Sequence, residues 1–207
     1  MMRIIILSLL TTIGSPATTQ KQFPAYHRDP PNSIESALLV TLNPGNYAAI
    51  LKSFSNAQQA ATSRVALFEV YDLRNSSSRL GNVSTRGQVG TGDNILIGGL
   101  IVGGSTPKPL VVRALGQTLT QFGITGVLAD PNLELRDGNG NSVEADNDWQ
   151  QSPEASTIMA DGKAPSNARE SARAPTLNPG NYTTLVFGVG GTTGAALVEV
   201  YDESASP

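Results

Sequence analysis

Short apolar stretches separated by clusters of Gly, Pro, Asn and Asp run along the chain, and several alternate with polar residues at the two-residue period of a strand. Ala66, Phe68 and Val70 line one face of a predicted strand with Glu69 opposite, and Ala196, Val198 and Val200 repeat the pattern with Glu199 opposite. These stretches, LFEVYD at 67–72 and LVEVYD at 197–202, close a longer recurrence. Each follows the string LNPGNY, at 42–47 and 177–182, and each LNPGNY follows ESA, at 35–37 and 170–172.

The recurring turn has Pro44 at its second position, where a fixed φ suits the bend, and Gly45 at its third, where a type II turn requires positive φ. A hairpin is therefore predicted, with Leu42 facing Tyr47, Val40 facing Ala49 and Leu38 facing Leu51. In the second copy Leu177 would face Tyr182, with Leu185 and Phe187 on the other side.

Strands are expected at 37–42, 46–52 and 63–71 in the first copy, and a Ser-rich joint follows at 74–80. Beyond it come strands at 82–86, 94–102, 110–115, 132–136 and 141–145. The run 94–102 is interrupted by Gly98 and Gly99 and reads as a strand pair or a bulged strand. Leu115, Leu119 and Phe122 fall at helical spacing before Gly123, Asp137-Gly138-Asn139-Gly140 signals a hairpin, and 152–160 reads as a short helix with Ser152 at its cap. The expected fold class is all-β: an antiparallel β-sandwich, jelly-roll-like, made of one full module and a partial copy of its last three strands. The expected organisation is a signal peptide at 1–17, the partial repeat at 18–73, a linker at 74–80, the full module at 81–203 and a tail at 204–207.

The strings NVSTRGQVGTGDNILIGGLIVGG, LVVRALGQTLTQFGITGVLADPNLELRDGNG, DNDW and ESA…LNPGNYTTLV…TTGAALVEVYD resemble a tandem module found at the ends of large secreted bacterial proteins. The half beyond Asp130 is also similar in layout to pre-peptidase C-terminal domains. The resemblance implies a β-sandwich appended to extracellular proteins for adhesion, spacing or display, with no chemistry of its own.

Composition narrows the function classes. The 207 residues carry a net charge of -3 and no basic cluster interleaved with aromatics, which argues against nucleic acid. With no cysteine, disulfides and thiolate chemistry are excluded. Arg3, the apolar run that follows it and Ser15-Pro16-Ala17 have the order of a secretory signal, placing the protein outside the cell or on its surface; the competing reading of Ile4-Ile5-Ile6-Leu7 is a buried first strand. No stretch has the length of a transmembrane helix. Asn75, Asn82 and Asn181 fit the N-glycosylation pattern, which matters only in a glycosylating host.

Candidate chemistry is sparse, and no catalytic residue is assigned. His27, the one histidine, lies in a Pro-rich lead-in away from any acidic cluster. The glycine-rich loop 188–194 stands between strands instead of opening a helix, so it reads as a hairpin loop and not a phosphate cradle. Asp137, Asn139, Asn141, Asp146 and Asp148 place oxygen ligands at short spacing and form the candidate Ca2+ site; the competing reading is good turn chemistry alone. Trp149 could stack a sugar or seal the sandwich end. The functional expectation is a non-enzymatic structural or adhesion module, able to self-associate or accept a strand from another copy through its uncovered partial repeat. The alternative is a calcium-dependent module binding carbohydrate or matrix protein, accessory to a secreted hydrolase.

Overall fold

The computed structural model describes residues 2–7, 37, 38, 40, 42–51, 65–72 and 80–204. The chain divides into two units, Met1–Leu7 with Glu69–Pro207, and Ser8–Phe68. In chain order the strands are β1 (Met2–Leu7), β2 (Leu67–Val70), β3 (Asn82–Val89), β4 (Leu96–Val102), β5 (Lys108–Leu115) and β6 (Pro131–Asp137). They continue with β7 (Ser142–Asp146), β8 (Ser171–Arg173), β9 (Thr176–Leu177), β10 (Gly180–Gly188) and β11 (Gly194–Asp202).

In the larger unit one sheet runs β1-β4-β10-β6-β7, and the other runs β3-β11-β5-β8 with β9 also paired to β5. Every one of these pairings is antiparallel. The sheets lie face to face, since a methyl added to Gly98 of β4 would touch the Val198 side chain of β11 at 3.3 Å. The architecture is therefore an antiparallel β-sandwich.

The core follows from strand alternation. Leu96, Leu100 and Val102 of β4, Leu133 and Leu135 of β6 and Val186 of β10 are buried, as are Ala196, Val198 and Val200 of β11. β5 breaks the alternation: Leu110, Val111, Val112, Ala114 and Leu115 are all buried. A strand covered on both faces reads as a continuous apolar run, which LVV-AL is apart from Arg113. In the segment after β7, Trp149 and Ile158 form a satellite core with Ala172 of β8, with Ala155, Ala164 and Ala174 packed against it, and the Lys163 carbonyl of the same segment accepts from Arg113 of β5.

Several expectations need correction. LNPGNY at 177–182 is not a hairpin: β9 pairs with β5 in one sheet and β10 with β4 and β6 in the other, so the turn carries the chain across the sandwich. Leu177 consequently stands opposite Lys108, and Tyr182 opposite Leu100 and Asp137, not opposite each other. Neither Gly45 nor Gly180 has positive φ, so neither turn is type II. A two-strand hairpin and a crossover share the same Pro-Gly punctuation, and the strands that flank it decide between them.

The loop after β10 is likewise a crossover, since β10 and β11 lie in different sheets. β4 is one strand whose partners advance without a break through Gly98 and Gly99, so there is no bulge. In the first copy Leu67–Val70 forms a strand, whereas the described residues within 37–51 do not. β10 is held by β4 on one side and β6 on the other, and the first copy has no sequence equivalent of either.

Other expectations are met. The helical turn before Gly123 is a 3-10 segment, Gln117–Phe122, and Gly123 closes it at φ 75. Asp137 to Asn141 turns β6 into β7. The short helix α1 (Ala155–Ala160) starts later than expected, although Ser152 Oγ accepts the Glu154 N–H at 3.2 Å just ahead of it. Residues 2–7 form a strand paired with β4 in the register Met2↔Val102 to Leu7↔Ile97. No helix among the described residues is long and apolar enough to cross a membrane. The lead-in at 18–34, with His27, and the linker at 74–79 lie outside the described residues.

Candidate functional site

The five candidate calcium ligands occupy two places. Asp137 ends β6, and its Oδ1 accepts the N–H groups of Asn139 and Asn141, each at 2.9 Å. Asn141 Nδ2 donates to Asp137 Oδ2 at 3.0 Å. This is an aspartate bracing its own turn. The Asn141 side-chain amide, followed by the two backbone N–H groups, holds the Asp137 carboxyl below the usual aspartate range.

Asp146 and Asp148 lie at the other end of β7, separated from the turn by about 13 Å of strand at about 3.3 Å per residue. Asp146 Oδ2 accepts the Ala172 N–H at 2.8 Å. Burial raises its pKa, the Ala172 bond and Arg173 oppose the rise, and the charges of Asp148 and Glu154 add to it. Asp148 Oδ2 accepts from Gln151 Nε2 at 2.9 Å. The geometry thus splits the set between the two ends of one strand, and among the described residues no group of three or more His, Cys, Asp or Glu is arranged to hold a metal ion.

Trp149 is only 6% exposed, its ring is part of the satellite core, and its Nε1–H donates to Asn167 O at 3.1 Å. Stacking a sugar requires an open ring face, and this ring is packed in the cluster with Ile158 and Ala172.

The most constrained polar residues are ones that motif reading passed over. Glu170 is fully buried, and its Oε1 accepts the N–H groups of Gly116 and Thr118, each at 2.8 Å, while Thr118 Oγ1 donates to Oε2 at 2.5 Å. The loop can present those N–H groups because residue 116 is glycine: a Cβ there would collide with the carbonyl of Leu128. Next along the chain, Ser171 Oγ donates to Pro131 O at 2.5 Å, and Ala172 packs in the satellite core. The ESA string is therefore three successive anchors on three different parts of the module.

A second network crosses the outer face of the other sheet. Arg113 donates from Nε to Glu199 Oε2 at 2.5 Å, from Nη1 to Lys163 O at 2.7 Å and from Nη2 to the Tyr201 hydroxyl at 2.9 Å. Its guanidinium also lies 5.1 Å from the centre of the Tyr201 ring, and Lys163 Nζ lies 4.9 Å from it. Burial, and then the Glu199 charge, raise the Tyr201 pKa. A third group gathers Arg173 with Glu144 and Glu154.

The signal for these residues was present in the repeat. Glu170, Ser171, Glu199 and Tyr201 all fall inside the recurring strings, and Arg113 is the one charged residue within the apolar run 110–115. The repeats also match in local geometry. Tyr47 donates to Asn43 O at 2.9 Å and Tyr182 to Asn178 O at 3.0 Å, and Tyr71 donates to Glu69 Oε1 at 2.9 Å as Tyr201 does to Glu199 Oε1 at 3.1 Å.

No protein-family model matches the sequence, and no curated protein matches it. Among solved structures, the chain is similar to the pre-peptidase C-terminal domain of a collagenase from Bacillus anthracis, with a TM-score of 0.37 and 15% identity over 57% of this chain and 88% of that one. An overlap that loose transfers neither a site nor an activity, so the functional reading stands on the side-chain networks of this chain.

Proposed function

We propose that the protein is a non-enzymatic β-sandwich module that works outside the cell as a structural or adhesive part. The observation that carries the reading is how the charged groups are used. Glu170, Asp137, Asp146 and Arg113 each spend their hydrogen bonds on backbone groups or side chains of the scaffold. A catalytic acid or base instead needs an atom turned toward substrate.

The test has two arms. Melting temperature measured in Ca2+ and in chelator is expected to be the same; a rise with Ca2+ that Asp146→Asn or Asp137→Asn removes would favour the calcium-dependent binding module instead. Peptide, ester and glycoside hydrolysis are expected to be absent, and a turnover lost with one of these substitutions at unchanged melting temperature overturns the reading. For location, the intact mass of exported protein is decisive. The reading expects a product beginning after Ala17, whereas an exported chain that keeps Met2–Leu7 as β1 counts against a leader.

A further inference from the structure

The outer face of the sheet that contains β4, β10 and β6 holds a cleft. Strand alternation places it: Leu96, Val186, Leu133 and Leu135 are buried in the core, so Ile95, Leu185 and Phe187, with Glu134 and Arg136 of β6, face the opposite way. The ladder sets Leu185 beside Glu134. With the 90–92 loop, including Thr91, and the 188–191 loop as walls, these residues line an open cavity of about 400 Å3. Small-ligand pockets run from about 300 to 1,000 Å3, so the cleft is of the size for a mono- or disaccharide. Ile95, Leu185 and Phe187 are half-buried and make an apolar floor. Beside it Arg136 donates from Nε to Glu134 Oε1 at 3.0 Å and from Nη2 to Oε2 at 3.1 Å, a fork that holds both head groups in one plane. The wall at Gly188 requires glycine, since a Cβ there would collide with the carbonyl of Thr192.

We propose that this cleft binds a neutral saccharide, one or two rings of a glycan, through protein groups alone. Charge selects a neutral ligand. The Glu134 carboxylate and the Arg136 guanidinium already neutralise each other, so an anion would have to displace the first and a cation the second. A sugar hydroxyl both donates and accepts. Adjacent hydroxyls on one ring therefore match the pair: one donates to a remaining lone pair of Glu134, and its neighbour accepts from Arg136, whose fork uses two of its five N–H groups. The C–H face of the same ring packs on Leu185 and Phe187. An extended peptide fits less well, because β10 forms ladders with β4 on one side and β6 on the other, and the cleft offers no free strand edge. The proposal rests on the adhesive reading of the module and names its ligand class. The two fail separately, since hydrolysis and Ca2+ test that reading while sugar binding in chelator tests this one.

Heteronuclear NMR of the full chain in chelator, titrated with the neutral probes chitotriose, cellotriose and maltotriose, reads the site directly. At least one probe is expected to shift the amides of 90–95 and 185–191 with a millimolar or tighter Kd, and anionic trigalacturonate to leave them in place. Arg136→Ala removes the fork at a side chain 42% exposed, where an ion pair adds little to stability, so this variant keeps the fold. It is expected to weaken binding by about tenfold, and Phe187→Ala by a similar factor through loss of the ring contact. Shifts absent with every neutral probe, shifts confined to residues elsewhere, or equal affinity in Arg136→Ala overturn the proposal. So does tighter binding of trigalacturonate than of every neutral probe. Binding that appears only when Ca2+ is restored also overturns it, in favour of the calcium-dependent module.

Discussion

Fully buried Glu170 holds two backbone N–H groups and a hydroxyl, so truncating it leaves the buried Gly116 N–H without its partner. Glu170→Ala is expected to lower the unfolding free energy by about 3 kcal/mol, and Glu170→Gln, which keeps one acceptor oxygen, by about 1 kcal/mol, both read by urea denaturation. Asp146 has the opposite sign. Its pKa is raised in the folded protein, chiefly by burial, so the stability it confers is complete below its unfolded value near pH 4 and is lost as pH rises through the folded value. Asp146→Asn is therefore expected to melt at the same or a higher temperature than the parent at pH 7, and to lose that gain below about pH 4. A clear fall at pH 7 would show that ionised Asp146 stabilises the fold. Asp137 should behave as an ordinary braced carboxylate: the stability it adds is present above the unfolded value and is lost as pH falls through its lowered pKa.

At the scale of elements, Arg113 ties β5 to β11 and to the segment that covers them, through Glu199, Tyr201 and the carbonyl of Lys163. Side chains only 17% and 10% exposed make the Arg113 and Glu199 pair a case where losing one partner is worse than losing both. Arg113→Met alone is expected to cost about 3 kcal/mol, and Arg113→Met with Glu199→Leu less than the single change, a double-mutant cycle in chemical denaturation being the measurement. The turns teach a related lesson. LNPGNY forms the same tyrosine-to-carbonyl bond in both copies, so this part of the turn's local geometry is intrinsic to the string. Whether that turn joins paired neighbours or crosses between sheets is not intrinsic; it depends on strands far away in sequence, and in the second copy those are β4, β5 and β6.

For the whole molecule, the spacing of the two sheets is set where β4 thins to Gly98 and Val198 of β11 fills the gap. Gly98→Leu is expected to force the sheets apart and cost about 2 kcal/mol, with the loss visible as a lower melting temperature. Sequence alone determined the class of the fold, most strand positions in 81–202 and the Asp-Gly-Asn-Gly turn, because alternation and turn residues are local properties that need no knowledge of neighbours. The tertiary structure decided that the Pro-Gly bend is a corner of the sandwich, that Trp149 is packed away, that Asp137 and Asp146 belong to opposite ends of β7, and that Glu170 and Arg113 organise the interior. Each of these depends on which groups separated by tens of residues meet, and a linear pattern carries the polarity of a residue but not the identity of the partner that satisfies it.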